Sequence, residues 1–299
     1  MEAVTDIVFR HVVDKAGSPD VYFTEFTNAT GWAAAGDKAI GGRLVKSDDE
    51  QSIIAQLWGS DPEAMAKLSQ HCAQLGYQGI DINMGCPDAS AVKAGGGAGM
   101  IRTPELAAQM IAAAKTSGLP VSVKTRLGYS HVDEWRDWLT FILQQDVVNL
   151  TIHLRTKKEM SKVPAHFELI DDIKALRDEI APQTLLTING DIENRAQGLE
   201  LVEKHGVDGI MIGRGIFHDP FAFEHDQRDH NRKELIELLR LQLELYDQYA
   251  DQTRRPFETL KRFFKIYINS FEGAAELRDK LMHTKSTDEV RALLEEFAT

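Results

Sequence analysis

Cysteine is scarce: Cys72 and Cys86 are the two in a chain of 299 residues, and they fall in different predicted elements. They imply no disulfide framework, which suits a reducing compartment. Long apolar runs are missing as well. No stretch approaches the ~18 residues that a membrane span needs, and residues 1–10 mix acids with apolar side chains where a signal peptide would not. The expected location is the cytoplasm, with no membrane partner. Positive charge is also in short supply. A formal net charge of -12 argues against binding nucleic acid non-specifically over the whole surface. The deficit is uneven, because residues 226–299 hold 13 Lys and Arg against 15 Asp and Glu, so residues 1–225 carry -10 of it.

What is present is ordinary globular material, 43% hydrophobic and 27% charged, enough for one barrel-sized domain and a small appendage. Short β-branched runs at 21–28, 52–59, 79–85, 120–128, 147–155, 184–192 and 209–216 read as seven strands. Amphipathic stretches with helix starts lie between them: Asp61-Pro62 before 63–75, Thr103-Pro104 before 105–115, and Pro164 before 166–180. Strand and helix in alternation mean a parallel sheet with right-handed crossovers. The length suits a TIM (β/α)8 barrel over residues 1–225 that is one strand short. Thr5-Asp6 starts a helix directly, so the expectation is that the first strand precedes Met1 and is missing or truncated here. From residue 226 to 299 helices alone are expected: 233–249, 256–271, 274–282 and 287–297.

The strand ends carry the polar residues. Gly79 to Pro87 is a buried strand broken by Gly85 and Pro87, which leaves the Cys86 thiol facing a cleft. Cys72, at helical spacing from Leu68 and Leu75, reads as packing. Asn83 stands at the end of the same strand, and Gln56, Lys124, His153, Asn189 and Arg214 lie at the ends of the others. Polar side chains among Val, Ile and Leu cost desolvation unless they meet partners, so together they imply a polar ligand. Asn189-Gly190-Asp191 and Gly213-Arg214-Gly215, with a short helix expected at 216–223, fit the phosphate site common after the last two strands of such barrels. Lys124 could stabilise negative charge on a reduced flavin, which points to FMN; an aldolase using Lys124 as a Schiff-base amine would share much of the pattern. The glycines at 95–97 and 99 read either as the hinge of a lid beside Cys86 or as a turn before Pro104. Their context is wrong for a Rossmann site. Arg254, Lys261 and Lys265 are expected on one helical face, with Arg255, Arg262 and interleaved aromatics, as a phosphate-contacting patch; the bland alternative is a core of aromatics under a solvated face.

These motifs, taken in order (Asp-Ile-Asn-Met-Gly-Cys-Pro, the glycine run, Val-Lys-Thr-Arg-Leu-Gly, His-Leu-Arg-Thr, Ile-Asn-Gly-Asp and Ile-Gly-Arg-Gly), resemble the tRNA-dihydrouridine synthase family of bacterial type along nearly the whole chain. Met1 to Asp6 is similar to that family's loop after its first strand. The resemblance implies an enzyme that takes hydride from NADPH, bound transiently over FMN, and reduces the C5–C6 bond of particular uridines in tRNA. It implies Cys86 as the general acid, and Met1, Gln56, Lys124, His153, Asn189, Gly190, Asp191, Gly213 and Arg214 at the FMN. Asn83, Arg126 and Arg155 would meet the uracil or RNA phosphate, and Arg254, Arg255, Lys261, Arg262 and Lys265 would grip the tRNA. No metal and a monomer are expected. The chain departs from the family at Leu154, where Gly is common, and at Glu159-Met160-Ser161-Lys162, which replaces a stretch that usually contains an aromatic. The departures bear on which uridine is chosen. Two rivals stay open: an FMN barrel acting on a free pyrimidine, and a non-enzymatic tRNA binder.

Overall fold

The computed structural model describes residues 1–298. All seven expected strand runs form, and the first is split. Tyr22–Phe23 (β1) and Thr27–Asn28 (β2) both pair in parallel with Ile53–Trp58 (β3). Ile80–Asn83 (β4), Val121–Arg126 (β5), Asn149–His153 (β6), Leu185–Asn189 (β7) and Gly209–Met211 (β8) follow in chain order, each parallel to the last. The sheet curls but stays open: among the described residues no pairing joins β8 to β1 or β2.

Between the strands run the expected helices, with starts that their sequences explain. Asp6 caps Ile7–Gly17 by accepting from Phe9 N, and Asp61 caps Pro62–Gln74, where Pro62 fits the first turn. Alternation along each strand decides which residues face them. Ile80, Ile82, Val121, Val123, Leu150, Ile152, Leu186 and Ile188 are buried in one layer with helix residues such as Met65, Leu68, Met110, Leu139 and Ile173. Cys72 is part of that core.

The opposite faces form the lumen, and they are polar. Strand register stacks them in tiers: Gln56, Asp81, Ser122 and Asn149 lowest, then Asn83, Lys124, Thr151 and Thr187, then Arg126, His153 and Asn189 at the carboxyl ends. Each buried aliphatic side chain in the outer layer contributes roughly 1.5–3 kcal/mol. The lumen gains little of this, so its polar groups must satisfy one another or a ligand.

Past the sheet the expected helices appear: Ala274–Met282 with the expected ends, and Arg232–Gln248, Lys261–Tyr267 and Thr287–Ala298 with altered ones. Two sequence readings fail here. The short helix expected at 216–223 is a single 3-10 turn, Arg214–Phe217. Nor do Arg254, Lys261 and Lys265 share a helical face: Arg254 ends the short helix Ala250–Thr253 with φ 51°, and Pro256 precedes a separate 3-10 turn, Phe257–Leu260. The aromatics between these cations are core, with the Phe263 ring tilted against Phe9 at 4.8 Å and stacked on Phe217 at 6.3 Å.

Candidate active site

The thiol of Cys86 sits one loop beyond β4, and main-chain contacts hold it there. Asn83 Oδ1 accepts from Gly85 N at 3.1 Å and Cys86 N at 2.9 Å, while Cys86 O accepts from Ala98 N at 2.9 Å. The glycine run is a packed turn here and leads into the 3-10 helix Gly97–Arg102. Gly97, at φ 53°, could not carry a side chain, since a Cβ would lie 2.7 Å from Cys86 O. Burial pushes the Cys86 thiol above its ordinary pKa, partly offset by the Asp88 N–H and the charges of Arg126 and Lys124. At neutral pH it is therefore a thiol, equipped to donate a proton.

Below it runs a chain of hydrogen bonds that sequence reasoning did not assemble. Ser122 Oγ donates to Asp81 Oδ1 at 2.7 Å, and Gln56 Nε2 donates to Asp81 Oδ2 at 2.6 Å. The Gln56 oxygen then faces Asn83 Nδ2 at 3.4 Å. With both Asp81 oxygens accepting, the Gln56 amide is oriented and through it Asn83, whose oxygen is then aimed under the Cys86 loop. Asp81 was visible in the sequence as an acid at an inward strand position. Gln56 and Asn83, expected to touch ligand, are buried in this chain.

At the carboxyl ends of β5 to β8 positive charge accumulates. Lys124 has its pKa lowered to about 8, by burial first and then by Arg126, with Asp81 acting in the other direction. His153 is pushed down to about 2, by burial and then by Lys124, Arg126, Arg155 and Arg214. It is neutral, and its ring lies 3.0 Å from Arg155 Nη1. Four cations converging on one imidazole call for an anion. Asp191 answers only part of the demand: it pairs with Arg155 and, at 3.3 Å, with Arg214. Its carboxyl is held below its usual range chiefly by Arg155, so Asp191 is spent as an anchor.

Backbone near these cations is open to a ligand. Gly213 has no neighbour closer than 3.9 Å to where a Cβ would stand, with Asn189 Nδ2 and Met1 Sδ at that distance. Gly190, at φ 120°, keeps clear of the His153 ring. Asn189 Nδ2 donates to Met211 O at 2.8 Å, joining the last two strands across their ends.

Arg126, buried, is the connector between loops. Its Nε donates to Gly85 O at 2.7 Å, and its Nη1 to Thr156 O at 3.1 Å and Met160 O at 2.9 Å. Arg155, also buried, spends Nε on Val163 O at 2.5 Å. Both hold the loops around the site.

The distant cations are mostly committed elsewhere. Arg255 pairs with the fully buried Glu25, Lys261 with Glu258 at 3.0 Å, and Arg262 donates to Ala3 O at 2.9 Å. Lys265 lies over the Phe217 ring at 5.9 Å, and Arg254 is exposed. The structure does not bring these five to the Cys86 loop.

Comparison with known proteins is consistent along the whole chain. The family described as dihydrouridine synthase (Dus) matches residues 1–299. A Bacillus subtilis (strain 168) protein named "Probable tRNA-dihydrouridine synthase 2" is 60% identical over 298 residues, 99% of this chain and 92% of that protein. "Probable tRNA-dihydrouridine synthase" of Staphylococcus aureus (strain COL) is 58% identical over 298 residues, 99% and 91% of the two chains. Among solved structures, histamine dehydrogenase from Rhizobium sp. 4-9 superposes with a TM-score of 0.52 at 11% identity, covering 74% of this chain and 42% of that one, which is a likeness of fold.

Proposed function

The chain belongs to the dihydrouridine synthase family, and from that premise we propose that it reduces uridines in tRNA, using FMN, with Cys86 as general acid. The observation that carries this reading is a protonated thiol, fixed by its own backbone, beside a cationic, polar-lined lumen. The residues fit FMN: the cations around His153 suit its phosphate, with Gly213 leaving room for close approach. Lys124 stands deeper, where a positive charge suits an electron-rich ring. FMN, when bound, supplies the hydride that adds to C6, and NADPH restores it.

The chain's own part is the proton. As C6 receives hydride, charge develops toward C5, and the Cys86 S–H delivers its proton there. The S–H bond breaks, a C–H bond forms, and the thiolate regains a proton from solvent. Arg126 keeps its charge near the sulfur and so favours that thiolate. We assign residues 226–299 to the grip on tRNA and residues 1–225 to catalysis, in a monomer working in the cytoplasm. A uridine in folded tRNA must be turned out of its stack to reach a barrel mouth, so a second contact region is needed.

Two measurements test this. The purified protein should be yellow, and with NADPH it should raise the dihydrouridine content of tRNA taken from a strain lacking the gene. A colourless protein, or one that reduces free uracil and leaves tRNA untouched, refutes the reading. FMN affinity should also depend on pH. The FMN phosphate, held at the neighbouring cations, adds negative charge to the cleft and raises the Lys124 pKa, so binding takes up a proton. Affinity is then full below pH 8 and falls, by up to about tenfold per pH unit, as pH rises through the free-site value near 8. Titration of flavin fluorescence from pH 7 to 10 reads this, and Lys124→Met should flatten the curve.

A further inference from the structure

The loop after β6, residues 156–163, takes no part in the proton transfer, yet its construction is specific. The chain turns at Met160 with φ 58°, a conformation that a long side chain rarely adopts, and Met160 is 40% exposed. Lys157, Lys158 and Lys162 surround it, and no ion pair holds any of them among the described residues. In a chain of net charge -12 this is not for want of carboxylates. The loop's own acid is turned inward: Glu159 Oε2 accepts from Thr156 N at 2.7 Å and Thr156 Oγ1 at 3.0 Å, and Oε1 pairs with His166 Nε2 at 3.0 Å.

The loop is also stitched to its neighbours. Lys157 N and Lys158 N donate to Gly128 O and Tyr129 O, both at 2.9 Å. Lys157 and Arg102 both lie against the Tyr129 ring, at 5.1 Å and 4.3 Å. Arg126 ties Met160 O to Gly85 O, the residue before the thiol. An apolar tip, flanking cations without a carboxylate partner, an acid withdrawn and a rigid link to Cys86 make a surface suited to a bent, polyanionic ligand.

We propose that this loop is an RNA-contacting finger in which Lys158 and Lys162 meet backbone phosphates and Met160 fills the gap left in the stack by the turned-out uridine. Apolar wedges of this kind are a recurrent way to hold an unstacked step open. The proposal rests on the reading that the chain acts on tRNA.

Glycine suits φ 58°, so Met160→Gly removes the wedge without straining the turn. In the full-length, flavin-loaded protein it should lower kcat/KM for folded tRNA by on the order of 10- to 100-fold, up to the scale of an unstacking cost of about a few kcal/mol, and Met160→Leu should restore most of it. Lys158→Gln with Lys162→Gln should weaken tRNA binding and reduce the slope of log affinity against log salt by about 1.4, or ~0.7 per phosphate lost. Lys15→Gln with Lys204→Gln, on distant helices, should match wild type. If wild type makes no dihydrouridine, the assignment of function falls and this inference with it. If wild type is active and the finger variants keep its kcat/KM and salt slope, the finger alone is refuted. It is refuted equally if Lys158→Gln with Lys162→Gln changes only retention on heparin or anionic vesicles.

Discussion

Cys86→Ala is expected to lower uridine reduction by roughly 10²- to 10⁴-fold, the usual worth of a positioned proton donor, while the flavin absorbance of the protein persists. The variant is a clean probe because the loop is held through main-chain groups, Cys86 N to Asn83 and Cys86 O from Ala98, which alanine keeps. Cys86→Ser should fall between, since a hydroxyl can donate but is a far weaker acid. The wild-type rate should be level through neutral pH and decline as pH rises through the thiol's raised pKa, where the donor is lost. Undiminished reduction by Cys86→Ala would assign the proton to another group.

Arg255→Ala is expected to destabilise the protein by about 3–5 kcal/mol, the cost of stranding one member of a buried ion pair. Glu25 is fully buried, its Oε2 is held by Arg255, and its Oε1 has no hydrogen-bond partner. Burial already raises the Glu25 pKa, with Arg255 the largest opposing influence. Without Arg255 the folded pKa rises further above the unfolded value of ~4.3; wild type and variant then lose stability alike from that value up to the already raised wild-type pKa of Glu25, and the variant's deficit grows as pH rises beyond it. Denaturant midpoints at several pH values measure this, and Arg255→Met combined with Glu25→Gln should recover most of the loss. A variant as stable as wild type but poor on tRNA would return Arg255 to the role of an RNA contact.

The strands were legible because alternation and glycine breaks act locally: Ile80 and Ile82 against Asp81 and Asn83 declare both the strand and its inward face. The strand-end residues were legible for the same reason. What each one touches was not, since that depends on register. Gln56 stands level with Asp81 only because β3 and β4 pair as they do, and this gives Gln56 and Asn83 a supporting task under the Cys86 loop that the sequence did not announce. The cationic face at Arg254, Lys261 and Lys265 looked regular because helical spacing was projected through Pro256. A left-handed residue at Arg254 and the proline end that periodicity. Glu25 gave no signal at all, its partner lying 230 positions along the chain.

Every bond that Arg126 makes here ends on a peptide carbonyl, of Gly85, Thr156 or Met160. A carbonyl is supplied by any amino acid, so the clamp is indifferent to side-chain identity in the loops it joins. Substitutions can accumulate at the tip around Met160 while its spacing from the thiol is preserved. Substrate preference and chemistry can thus drift independently in this scaffold, provided the arginine and the length of the loop are kept.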